Sequence, residues 1–130
     1  MIGYEYNVIG WCKNRTVLGC EWRLIELLSK ICNSIGMRQL SSGSVTVECD
    51  LNKLDREQFQ DEGGVTAYLI LSTSHIAIHG WPYRDMKRDD GGYFWLNVCS
   101  CRSFNNSVID STLKSALNTT NVDTHMWRYG

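Results

Sequence analysis

Val65-Thr66-Ala67-Tyr68-Leu69-Ile70-Leu71 is a nearly continuous apolar run, and Ser74-His75-Ile76-Ala77-Ile78-His79-Gly80-Trp81-Pro82 follows it almost at once. The first run reads as a buried central strand over 65–71, and a second strand is predicted over 76–81. Upstream, residues 3–11 alternate enough, through Tyr4, Tyr6, Val8 and Ile9, to form an opening strand. From Glu21 the period changes. Leu24, Leu28, Ile31 and Ile35 make one stripe with Ile25 and Cys32 beside it, and Gly36 stands where a helix stops. This predicts an amphipathic helix of about fifteen residues. Val45 and Val47 alternate with polar residues over 44–49, a further strand, and residues 50–64 form an acidic connection long enough to be a functional loop. Downstream come a charged, Gly-ended hairpin connection over 84–92 and a strong strand over 93–100. Asn105 or Asn106 can cap a second helix whose inward residues are Val108, Ile109, Leu113, Ala116 and Leu117, before a short closing strand over 122–129. This order predicts an α+β two-layer sandwich, a mainly antiparallel sheet with two helices on one face. The other face then needs a cover. Tyr4, Tyr6, Tyr93 and Trp95 are candidates to line it in a dimer.

At 130 residues the chain is expected to form one domain, residues 1–130. A formal net charge of -1, with Lys and Arg scattered, offers no electrostatic footprint for nucleic acid or an anionic membrane. No apolar run approaches the length of a membrane span, and the N-terminus lacks the layout of a targeting sequence. Six cysteines, at 12, 20, 32, 49, 99 and 101, could form three disulfides. Without a signal peptide, and with apolar residues enough for a core, a reducing cytoplasm is the expected setting. The spacings lack paired C-x-x-C knuckles, so no metal is expected.

Within residues 72–82 lie two of the three histidines and the one proline. The Ser74 hydroxyl can attack the Thr73 carbonyl and convert that peptide bond into an ester, and elimination from the ester breaks the chain. The residue left behind loses ammonia and becomes a pyruvoyl group, a ketone able to form a Schiff base with an amine substrate and to act as an electron sink in decarboxylation. The plainer reading of Ser74 is an ordinary strand-end serine. His79 would be the processing base, or else a histidine hydrogen-bonded to backbone. Regular alternation sets residues 75, 77 and 79 on one face and Ser74 on the other, so a site shared by Ser74 and His79 requires the backbone near Thr73 to leave ideal strand geometry. It also separates His75 from His79 by about 13 Å. Cys99 and Cys101 share a strand face, as small core residues or as a thiol that protonates the substrate carbon. Trp81, Phe59 and Tyr68 could stack on a base or face a cation.

These residues resemble the bacterial and archaeal S-adenosylmethionine decarboxylase proenzymes, the pyruvoyl enzymes of polyamine synthesis. That family carries Glu-Ser-His-Ile-Ser-Ile-His-Thr-Trp-Pro-Glu followed by Asp-Val-Phe-Thr-Cys-Gly. Here the segments read Thr73-Ser74-His75-Ile76-Ala77-Ile78-His79-Gly80-Trp81-Pro82-Tyr83 and Asn97-Val98-Cys99-Ser100-Cys101-Arg102. The resemblance implies autocatalytic cleavage between Thr73 and Ser74, with a covalent pyruvoyl group formed from Ser74. It makes His79 the processing histidine, Thr66 the hydroxyl that assists it, and Cys101 the proton donor, while Cys99 falls on a phenylalanine and reverts to a core residue. It implies S-adenosylmethionine as substrate, spermidine biosynthesis as the setting, and a homodimer of processed chains joined through their sheets. Trp81 and Phe59 become candidate substrate contacts. Tyr83 stands where the family has a ribose-binding glutamate, for which Asp85 is the candidate substitute. The expected function is therefore pyruvoyl-dependent decarboxylation of S-adenosylmethionine, a lyase activity. The alternatives are a pyruvoyl-dependent decarboxylase of ornithine or arginine, and an unprocessed homologue that only binds S-adenosylmethionine.

Overall fold

A computed structural model describes residues 2–48 and 63–130. Its elements run β1 (Gly3–Cys12), α1 (Arg15–Leu18), α2 (Glu21–Ser34), β2 (Gln39–Val47), β3 (Gly64–Leu71), β4 (Ser74–Trp81), β5 (Gly92–Ser100), α3 (Asn106–Leu117) and β6 (Thr119–Tyr129). The strands form one sheet in the order β2-β3-β4-β5-β1-β6, and every neighbouring pair is antiparallel. Alternating burial follows from the pleat. Val65, Ala67, Leu69 and Leu71 of β3, Ile76 and Ile78 of β4, and Phe94, Leu96 and Val98 of β5 point to one face and are buried. Leu24, Leu28 and Ile31 of α2 and Ile109, Leu113 and Leu117 of α3 close that face into a single core. The α+β sandwich expected from the sequence is what the chain forms.

Several details differ. A third helix, the single turn α1, is added; the Asn14 side chain accepts from the Val17 amide and starts it. Leu18 of α1 fills the space above Gly80, where a Cβ would meet its Cδ1 at 2.7 Å. That contact gives the glycine at 80 a packing reason. Arg15 donates to the carbonyls of Pro82, Asp85, Arg88 and Asp89, and so ties down the β4–β5 connection. β2 begins at Gln39 rather than 44, because it pairs with β3 along nearly its whole length. β6 likewise starts earlier, at Thr119. β3 is not buried on both sides, since Tyr68 and Ile70 are exposed. Most of the acidic connection over 50–64 lies outside the described residues, and so does Cys49.

The expected lining of the open face needs correction. Tyr6 is 1% exposed, lies under α3, and donates its hydroxyl to Asp110 Oδ1 at 2.5 Å. Burial, with that carboxylate second, pushes its phenol up to about 12. Tyr4 has the same parity as Tyr6 and belongs to the same face. Tyr93 and Trp95 do point to the open face. The row register places Tyr68, Trp81, Trp11, Trp127 and Tyr129 there too. Tyr68 is 42% exposed, Trp95 43%, Trp127 49% and Tyr129 53%, so among the described residues helices cover one side of the sheet only. Among the described residues no helix is long and apolar enough to cross a membrane.

Candidate active site at the β3–β4 turn

Two residues, Ser72 and Thr73, join β3 to β4, with Leu71 paired to Ser74. Two-residue hairpin loops favour turns with positive φ inside the loop. Here Ser72 and Thr73 keep negative φ, and the positive value falls on Ser74, at 152°. That backbone region is almost confined to glycine and costs about 1–3 kcal/mol, so it persists only where its surroundings impose it. Three contacts do so. The Ser72 amide donates to the Arg38 carbonyl at 3.0 Å, the Thr73 hydroxyl donates to Met37 Sδ at 3.2 Å, and the Thr73 carbonyl accepts from the Cys101 amide at 3.0 Å. The peptide that joins Thr73 to Ser74 is thus clamped, and its carbonyl is already polarised by a backbone donor.

An open groove of about 660 Å³ begins at this turn, lined by Thr73, Ser74, Cys99, Cys101, Glu5 and Tyr129 among others. It lies at the sheet end where β1 and β4 start and β5 and β6 finish. Cys101 is exposed just past β5. Cys99 is not the core residue expected: it sits on the open face of β5 and donates to Glu5 Oε2 at 3.6 Å. Desolvation and the adjacent Glu5 carboxylate push its thiol up to about 11.

Thr66 and His79 are brought together. They pair across β3 and β4, and Thr66 Oγ1 lies 2.9 Å from His79 Nδ1. With the proton on Nδ1 and Thr66 accepting, Nε2 keeps its lone pair for use as a base. The rings of Trp81 and Trp95 flank the imidazole at 6.2 and 6.0 Å. His79 is not brought to Ser74. Both stay on the regular strand β4, five residues and about 17 Å apart. The backbone departure at Ser74 is present, yet it does not fold the strand back on itself. Trp81, Tyr83 and Asp85 also lie at the far end of β4 from Ser74. Asp85 is engaged locally: its Oδ1 accepts from the Lys87 amide at 3.0 Å, and its carbonyl accepts from Arg15. Phe59 lies outside the described residues. Among those described, no group of three His, Cys, Asp or Glu side chains is placed to hold a metal.

Sequence reading missed the polar row beside the groove. Asn97 Nδ2 donates to Glu5 Oε2 at 3.1 Å and to Asn7 Oδ1 at 3.0 Å, while its Oδ1 lies 2.9 Å from His75 Nε2. Strand alternation alone puts Glu5 with Asn7, and His75 with His79. Only the β1–β5–β4 register, which no local pattern encodes, puts the two pairs side by side.

Comparisons with known proteins follow the same lines. The sequence profile of the S-adenosylmethionine decarboxylase family matches residues 9–130. The S-adenosylmethionine decarboxylase proenzyme of Pelotomaculum thermopropionicum is 26% identical over 85 residues, covering 65% of this chain and 57% of that protein. The match therefore spans little more than half of that relative's length. The crystal structure of the adenosylmethionine decarboxylase from Aquifex aeolicus superposes with a TM-score of 0.68 at 20% identity, over 97% of this chain and 88% of that one, a likeness of fold. Fold and site define an α+β sandwich whose candidate chemistry stands at a hairpin tip on the end of a half-covered sheet. The chain belongs to the S-adenosylmethionine decarboxylase family.

Proposed function

We propose that this protein is a proenzyme that splits itself between Thr73 and Ser74 and then decarboxylates S-adenosylmethionine in the cytoplasm, for spermidine synthesis. Family membership supports the reaction, and the Thr73–Ser74 peptide is the observation that carries the reading. Ser74 Oγ adds to the Thr73 carbonyl carbon, and the oxygen that gains charge is the one already facing the Cys101 amide at 3.0 Å. Collapse breaks the bond from that carbon to the Ser74 nitrogen, which takes the hydroxyl proton and stays on the Ser74 Cα as an amine, and gives an ester. Removal of the Ser74 α-proton then expels the Thr73 carboxylate, and water replaces the nitrogen as ammonia to leave the ketone. The strained φ and clamped carbonyl fit a serine destined for this conversion. The pyruvoyl group so formed supplies an electron sink for loss of carbon dioxide. Cys101, in the same groove, donates a proton to the substrate carbon, while Thr66 orients His79.

The gap of about 17 Å along β4 makes the oligomer part of the proposed chemistry. A two-fold axis crossing β4 between Ser74 and His79 sets each Ser74 end over the other copy's His79 end, with the open aromatic faces packed together. In this dimer His79 of one copy is the base for Ser74 of the other. Trp81, Tyr83 and Asp85 reach the groove by the same operation, and Phe59 is proposed as a further substrate contact. Mixed dimers test this. Ser74→Ala and His79→Ala proteins should each stay whole alone. Co-expression should restore splitting in the His79→Ala chain, which keeps its serine and borrows a histidine. Failure to restore it would place His79 outside the partner's site.

A second reading keeps the cofactor and takes ornithine or arginine as substrate. It is favoured by Tyr83, which stands where a carboxylate would hold a ribose. Release of carbon dioxide from S-adenosylmethionine, ornithine and arginine by split protein separates the readings. We expect S-adenosylmethionine to be turned over at least tenfold faster in kcat/KM, a margin of about 1.4 kcal/mol. Split protein that prefers either amino acid, or protein that binds S-adenosylmethionine and never splits, would replace this reading with the corresponding alternative.

A further inference from the structure

Glu5 is the one charged side chain among the described residues that line the Ser74 groove. Its carboxylate accepts three hydrogen bonds, from Asn97 Nδ2 at 3.1 Å, Tyr129 OH at 3.2 Å and Cys99 Sγ at 3.6 Å. Each donor comes from a different position on β5 or β6, so the carboxylate is aimed from both sides of β1. The Asn97 bond outweighs desolvation and, with the other donors and the field of His75, holds the carboxyl below its usual range. His75 does not neutralise it by contact, since its Nε2 is engaged by Asn97 Oδ1. Among the described residues, then, a fixed anion is set on the groove wall with no cation bonded to it.

An anion in this position acts selectively on ligands. The amine that reacts at residue 74 and the carboxylate that departs are common to every amino acid. What differs among substrates is the charge further along the side chain. A carboxylate held by neutral donors favours a ligand bringing a positive charge and disfavours one bringing a second negative charge. Resting on the decarboxylase reading, we infer that Glu5 is the specificity-determining residue of this groove, recognising a positive charge on the substrate's side chain apart from its reacting amine. A sulfonium meets this requirement, and so does the ammonium or guanidinium of a basic amino acid.

Paired ligands of matched shape test the inference. S-adenosylmethionine is compared with the neutral thioether S-adenosylhomocysteine, and arginine with the neutral ureide citrulline. The split protein is first treated with borohydride, which reduces a ketone and stops turnover, so that equilibrium dissociation constants are read. Wild type should bind the cationic member of at least one pair about tenfold tighter than the neutral one. Glu5→Gln should erase that preference, and Glu5→Asp should keep it. Which pair shows the preference distinguishes a sulfonium from a basic side chain. In wild type alone, the preference should shrink as ionic strength rises, because the groove is open to salt. A preference that survives Glu5→Gln, that ignores salt, or that is absent from wild type would overturn the assignment. If the wild-type chain never splits, the decarboxylase reading fails by mass. The same ligand pairs measured on the intact chain still decide the role of Glu5.

Discussion

Ser74→Ala is expected to remain one chain of unchanged length, while wild type resolves by intact mass into Met1–Thr73 and a fragment that begins at residue 74 as a pyruvoyl group. The expected effect is complete, because the substitution removes the attacking oxygen and leaves everything else. The amide of Cys101 still donates to the Thr73 carbonyl, and the Ser72 amide and Thr73 hydroxyl keep their partners on Arg38 and Met37. Alanine is no more strained at a φ of 152° than serine, so the turn keeps its shape. Stability should change by no more than about 0.5 kcal/mol, since an exposed hydroxyl is all that is lost. Splitting is itself compatible with the fold. The bond lies at a hairpin tip, and the β3–β4 ladder on one side and the β4–β5 ladder on the other hold both fragments in the sheet. Mass also guards against a neighbour acting instead, because attack by Ser72 would cut after Leu71. A wild-type protein with one mass after prolonged incubation, or a Ser74→Ala protein that still divides at that bond, would refute the assignment.

The architecture was legible where periodicity is strong. Leu24, Leu28 and Ile31 mark α2, and Ile109, Leu113 and Leu117 mark α3, because a three- to four-residue apolar repeat has one cheap solution against a sheet. α1 was not legible, since a single turn has no period; its signal was the Asn14 cap, and its stability comes from Leu18 on Gly80 and Arg15 on distant carbonyls. The orientation of Tyr6 was misjudged for a related reason. Alternation in β1 gives two faces but not which one meets the helices, and the deciding partner, Asp110, is 104 residues away. The Thr66–His79 contact and the Cys101–Thr73 contact share this dependence on register. The first joins neighbouring strands and the second joins the β3–β4 turn to the residue just past β5, so motif spacing could name the residues without showing which of them touch. The distance from Ser74 to His79 shows the converse. Five residues apart in sequence suggests one site, whereas an extended strand makes it a separation of about 17 Å, which the proposed dimer would bridge with a second copy of the chain.

Cys101→Ala should split as wild type does and then lose about 10²–10⁴-fold in kcat, the range over which a positioned general acid contributes. The two halves of this expectation come from different atoms of one residue. In the proposed reaction, processing uses the Cys101 backbone amide, which donates to the Thr73 carbonyl at 3.0 Å and is untouched by removal of the thiol. In the proposed reaction, turnover uses the side chain, which lies exposed in the groove that Ser74 lines. The neighbouring thiol provides the control. Cys99 is spent on Glu5, donating at 3.6 Å, and burial with that carboxylate keeps its proton on at pKa about 11. A thiol so placed steadies the anion, so Cys99→Ala should raise KM for a cationic substrate more than it lowers kcat. Single-turnover measurements on the split proteins separate the steps. A slow proton transfer after carbon dioxide loss should appear for Cys101→Ala and not for Cys99→Ala. Reversal of the two phenotypes would move the proton donor to Cys99. Loss of splitting in Cys101→Ala would mean that the thiol, and not only its amide, takes part in breaking the Thr73–Ser74 bond.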